Sequence, residues 1–122
     1  MLDLFKVAQR IINGEQSQIP IKEHIDAWNK SFDVKLFIEE PYITEFKEVD
    51  VWLAAAAHYE SFLIDMDPPV WTLQKHRFFD SPYFPSDGIR SRIIMLAETP
   101  FTFRMRLLFS GETSIKPRKN GK

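Results

Sequence analysis

The sequence predicts an all-α fold, a compact bundle of about five helices around a central apolar helix, with a short strand possible near residues 34–38. Three observations carry that expectation. Residues 48–66 are apolar around most of a helical circumference, as in a helix wrapped by its neighbours. The segments on either side repeat apolar residues at spacings of three and four. Prolines and glycines fall mainly between these segments. A chain of 122 residues buries about two-thirds of its unfolded surface, enough for a single core without covalent staples.

The first helix is expected over residues 3–12, with Leu4, Phe5, Val7, Ala8, Ile11 and Ile12 on one side, Lys6, Gln9 and Arg10 on the other, and Asn13-Gly14 as its stop. Pro20 suits the first turn of a second helix, along which Ile21, Ile25, Trp28 and Phe32 form a narrow stripe. From Asp33 to Phe46 the alternation of Val34, Leu36 and Ile38 and the break at Pro41 predict an irregular connector or a short strand. The central helix follows over 48–66, its tetra-alanine run 54–57 adding helix propensity and allowing close approach by a neighbour. Its polar strip comprises Asp50, His58, Ser61 and Asp65, and Asp67-Pro68-Pro69 ends it.

Residues 68–85 combine four prolines with Trp71, Phe78, Phe79, Tyr83 and Phe84, a loop that aromatic anchors must hold. Ser86 or Asp87 is the expected cap of a fourth helix that buries Ile89, Ile93, Ile94, Leu96 and Ala97. Thr99 and Pro100 then open a last helix over 100–109. Residues 1–115 are expected to form one helical domain, and 116–122 a disordered basic tail.

The absence of cysteine excludes disulfides, thiolate metal sites and cysteine nucleophiles. The opening MLDLFKVAQR lacks the regions of a signal peptide, so the cytoplasm is the expected compartment, with no association with a membrane. Net charge is −1, but residues 1–73 carry six Lys/Arg against thirteen Asp/Glu, and residues 74–122 carry ten against four. Such asymmetry fits either complementarity between two packed layers or an external charged partner.

His24, His58 and His76 lie in different segments without ligand spacing, so no metal site is expected. Isolated glycines give no phosphate loop or dinucleotide fingerprint, hence no cofactor, and no Ser or Thr is singled out as a nucleophile. The expectation is a protein that is not an enzyme. On helical wheels Glu60 falls among Val49, Leu53, Ala56 and Leu63, and Arg104 falls among Phe101, Phe103, Met105, Leu107 and Leu108. Each charge needs a partner in such surroundings, which suggests a partly buried Glu60–Arg104 pair docking the last helix on the central one.

Arg90, Arg92, Arg104, Arg106 and the basic tail offer phosphate contacts, so a nucleic-acid-binding accessory protein is one reading. The turn at Glu98-Thr99 is too short for an ordinary helix-turn-helix, and the helix after it is too apolar for a groove. A protein interface is the other reading. It would have Trp71, Tyr83 and Phe84 as anchors and Arg90, Arg92 and Arg106 as rim residues.

In the stretch 77–109, RFFDSPYFPSDGIRSRIIMLAETPFTFRMRLLF, an Arg-Phe and aromatic-Pro loop precedes a short helix and then Glu98, Thr99, Pro100, Phe103, Arg104, Arg106 and Phe109. That pattern resembles the C-terminal segment of small bacterial antitoxin-like proteins encoded beside nucleotidyltransferase-like toxins. It spans roughly a quarter of the chain and departs from the family at Leu107, where Asn is common. The resemblance implies an antitoxin-like module that binds a protein partner, a toxin-like enzyme, instead of catalysing a reaction.

Overall fold

In the computed structural model, which describes residues 1–85, 89–111 and 113–117, the chain is all-α. Its helices are α1 (Leu4–Ile12), α2 (Gln18–Ser31), α3 (Lys47–Leu63), α4 (Ile89–Glu98) and α5 (Phe101–Arg104), with single 3-10 turns at Val34–Leu36, Val70–Leu73 and Lys75–Arg77. Among the described residues there is no strand. The segment near 34–38 resolves into a 3-10 turn capped by Asp33, whose side chain accepts from the Lys35 amide.

Local chemistry sets each helix. Asp3 caps α1 by accepting from the Lys6 amide at 2.8 Å; of the expected apolar side Leu4, Val7, Ala8 and Ile11 are buried, whereas Phe5 is half-buried and Ile12 exposed at the helix end. Gly14, at φ 103°, makes the turn that follows. Arg10 then forks onto Glu15 and Glu23, tying the end of α1 to α2. On α2 the buried line runs through Pro20, His24 and Trp28, while Ile21, Ile25 and Phe32 are only half-buried. The predicted stripe is thus rotated, because the imidazole and the indole both find hydrogen-bond partners inside.

The central helix is α3, and its four alanines are fully buried. It packs on α5 and on the two later 3-10 turns, and its side chains share one core with the α1–α2 hairpin. Asp50 and Ser61, expected on a polar strip, are buried as well. Asp50 accepts from the Thr44 amide and hydroxyl and so ties down the approach to α3, and the Ser61 hydroxyl bonds the His58 carbonyl. The helix ends before Asp67-Pro68-Pro69. Asp65 takes a left-handed φ of 59°, and the Met66 amide closes onto the Ser61 carbonyl at 2.8 Å.

The last helix is shorter than the wheel predicts. It ends at Arg104 because Leu107 is left-handed, at φ 61°, and the Leu108 amide closes onto the Phe103 carbonyl. The freed backbone pairs with the aromatic loop instead. Phe79 and Tyr83 donate to the Arg106 and Leu107 carbonyls, and the Phe109 amide donates to the Tyr83 carbonyl. Further on, Ile115 is buried, and α2 hydrogen-bonds the backbone of Ser114 and Lys116; residues 118–122 of the expected tail lie outside the described residues.

Candidate interaction surface

The expected Glu60–Arg104 pair does not form. Glu60 is fully buried on α3, and its partner is His24 of α2, whose Nε2 lies 2.7 Å from Glu60 Oε2. The other imidazole nitrogen, Nδ1, bonds the Leu2 carbonyl at 2.9 Å, which makes it the donor and leaves a single proton between Nε2 and the carboxylate. Glu60 Oε1 is buried and has no hydrogen-bond partner among the described residues. Arg104 is exposed and donates to the Thr99 carbonyl at 3.2 Å. The wheel places Arg104 correctly relative to its neighbours but not relative to the core: α5 turns the arc of Thr102, Arg106 and Phe103 inward, which leaves Arg104 with Phe101 and Met105 on the solvent side.

Arg106, expected on an interface rim, is therefore in the core. It donates to the carbonyls of Thr102 at 2.9 Å and Thr72 at 2.8 Å and to His58 Nδ1 at 3.1 Å, with its guanidinium 4.7 Å from the centre of the Phe78 ring. Burial lowers its pKa to about 10. His58, half-buried and beside that guanidinium, is pushed down to about 4, first by desolvation and then by the positive charge. His58 is thus neutral at pH 7, with its proton on Nε2.

The aromatic anchors are also largely spent on the fold. Trp71 is only 5% exposed, and Arg77 stacks 4.9 Å over its ring. The guanidinium of Arg77 bonds the Pro41 and Asp50 carbonyls, linking the connector, α3 and the aromatic loop. Tyr83 stacks on Phe79 at 4.9 Å, and Phe84 lies on Phe109 at 5.0 Å with Arg92 5.1 Å over its ring. Trp71, Tyr83 and Phe84 therefore do not form one exposed cluster. The cap expected at Ser86 or Asp87 and the side chain of Arg90 lie outside the described residues.

The structure exposes a different set. Ile93 is 61% exposed, Ile94 49% and Leu96 45%, although their spacing suggested the buried side of α4. On a wheel Leu96, Ile93, Ala97 and Ile94 fall in one arc, whereas Met95 lies on the opposite side and meets Gly111. The helix thus rests on the body through its narrower side and turns its broad apolar arc outward. Phe101, packed edge-on against Phe62 at 4.9 Å, and Met105 add exposed apolar surface on and just after α5. Periodicity defines an apolar face; it does not reveal whether the same chain covers it.

Among the described residues no group of three His, Asp or Glu could hold a metal ion, and no helix is long and apolar enough to cross a membrane. Comparison of the chain with protein-family models, with curated proteins and with solved structures finds no match.

Proposed function

We propose that this protein is an interaction module that binds a partner protein through the outward face of α4 and the adjoining α5 turn. The observation that carries the reading is Ile93, Ile94 and Leu96, three large apolar side chains on one helix, each close to half exposed or more. Burying such a side chain contributes about 1.5–3 kcal/mol when it is wholly exposed beforehand, so a partner covering three of them gains several kcal/mol. Arg92 and Arg104 are exposed on the same C-terminal part of the chain, which suits a partner with carboxylates around an apolar groove.

An antitoxin-like role, with a toxin-like enzyme as the partner, is the finer form of this proposal. Its support is the resemblance over residues 77–109. Arg77, Thr99, Phe103, Arg106 and Phe109 of that stretch are buried residues that shape the loop and α5, so the likeness concerns how this part is built and presented.

The test is co-expression with the product of the adjacent gene, followed by purification at high salt, for the natural chain and for Ile93→Asp and Leu96→Asp. A complex that survives high salt and is weakened at least about tenfold by either substitution is the expected result. Retention on DNA or RNA that falls steeply with salt, unaffected by either substitution, would instead favour nucleic-acid binding through the exposed arginines.

A further inference from the structure

Residues 113–117 lie along α2 as a short strap. Asn29 grips it on both sides of Ile115: Nδ2 donates to the Ser114 carbonyl at 3.0 Å, and Oδ1 accepts from the Lys116 amide at 2.9 Å. One residue earlier on the helix, Trp28 Nε1 donates to the Lys116 carbonyl at 3.0 Å. Ile115 points inward and is 3% exposed, within the same core as Trp28, while Ser114 and Lys116 face solvent.

All three of these bonds go to main-chain atoms of the strap. A helix that reads backbone amide and carbonyl groups two residues apart, and buries only the side chain between them, recognises an extended peptide by rules that do not depend on its flanking side chains. The strap also fills its furrow incompletely. One open cleft of about 470 Å³ lies along its α2 side, lined by Ile21, Ile25 and Asn29, and another of similar size lies toward α3 and α5, lined by Tyr59, Phe62 and Phe101.

We propose that this furrow is a peptide-binding site whose resident occupant is the chain's own residues 113–117, and that it accepts in trans an extended peptide with a central Ile or Val once the strap lifts. Asn29 and Trp28 supply the backbone recognition, and the Ile115 pocket supplies the side-chain preference. Gly111, whose amide donates to Thr99 Oγ1 at 2.8 Å, fixes the chain ahead of the strap to the body, so that lifting concerns the strap alone.

The probe is a fluorescein-labelled synthetic peptide of residues 113–117, titrated into the full chain and followed by anisotropy. The Ile115→Ser chain, its strap weakened, is expected to bind the peptide at least about tenfold more tightly than the natural chain, in which the strap competes as a tethered ligand. Adding Asn29→Ala to that variant, or Ser in place of Ile in the peptide, should abolish binding. Equal binding with and without Asn29→Ala overturns the proposal. A second measurement needs no variant: in the natural chain the Lys116 amide should exchange with solvent at least about 100-fold faster than the Leu53 amide of α3, reporting opening of the strap alone. Exchange of both at one rate, that of global unfolding, would show that the strap does not lift and would also overturn it.

Discussion

Replacing Glu60 by Leu should be among the most damaging single changes in this protein. His24 and Glu60 are both fully buried, 2.7 Å apart, and hold α2 to α3, while His24 also holds the Leu2 carbonyl ahead of α1. Removing one member of a buried pair strands the other and costs about 3–5 kcal/mol. Glu60→Leu leaves His24 Nε2 without a partner, and His24→Leu leaves a wholly unpartnered carboxylate, Oε1 already having none. The double variant His24→Leu/Glu60→Leu strands neither group and should lose much less than the sum of the singles, with a coupling of about 2–3 kcal/mol. Urea unfolding of the four proteins measures these quantities. Single costs under about 1 kcal/mol, or strictly additive ones, would refute the reasoning.

The same pair has a pH signature. Burial pushes the imidazole of His24 toward its neutral form, but the adjoining Glu60 outweighs burial and leaves its pKa raised. Burial raises the Glu60 carboxyl, and His24 offsets this only in part. Both directions mean that the folded pair keeps its shared proton more tightly than the unfolded chain does. Its contribution is therefore present below the unfolded histidine pKa, near 6.5, and is lost as pH rises through the folded value of His24. As pH rises above about 6.5 the natural protein should lose stability in a way that His24→Leu/Glu60→Leu does not, with a slope no greater than about 1.4 kcal/mol per pH unit.

His58 carries the opposite sign. Its pKa of about 4 means that the unfolded chain takes up a proton first, so its contribution is lost as pH falls below about 6.5; nitrogen NMR should show a neutral ring, protonated on Nε2, at pH 5, and a midpoint near 6.5 would contradict its contact with Arg106. Arg106→Leu strands the Thr72 and Thr102 carbonyls and should destabilise by about 2–4 kcal/mol, whereas exposed Arg104→Ala should stay within about 0.5 kcal/mol, both by urea unfolding. Asp65→Gly relieves the left-handed strain at the end of α3, at an exposed position, and thermal unfolding should show a gain of up to about 1 kcal/mol.

The helical class, the limits of α1 and the burial of α3 were legible because they depend on local patterns: apolar spacing, an Asn-Gly stop and a run of alanines. The odd position of Glu60 was legible too, since a carboxylate on an apolar arc demands a partner wherever the helix sits. The identity of that partner was not. His24 lies thirty-six residues away, and only the crossing of α2 over α3 brings it within 2.7 Å.

Tertiary structure likewise decided which arginine is buried. Local periodicity puts Arg104 and Arg106 on different sides of the last helix, but only packing shows that the side carrying Thr102 and Arg106 is the one turned to the core. The apolar arc of α4 could be read from sequence, but its exposure depends on what other elements leave uncovered. The strap on α2 left no periodic trace, because five residues held by three bonds to their backbone and by the single side chain of Ile115 are too few to show a period. What the sequence by itself determined is where apolar and polar groups lie along each local element; which faces meet, which charge finds which partner and which surface remains open depend on contacts between distant residues, and only the folded chain decides them.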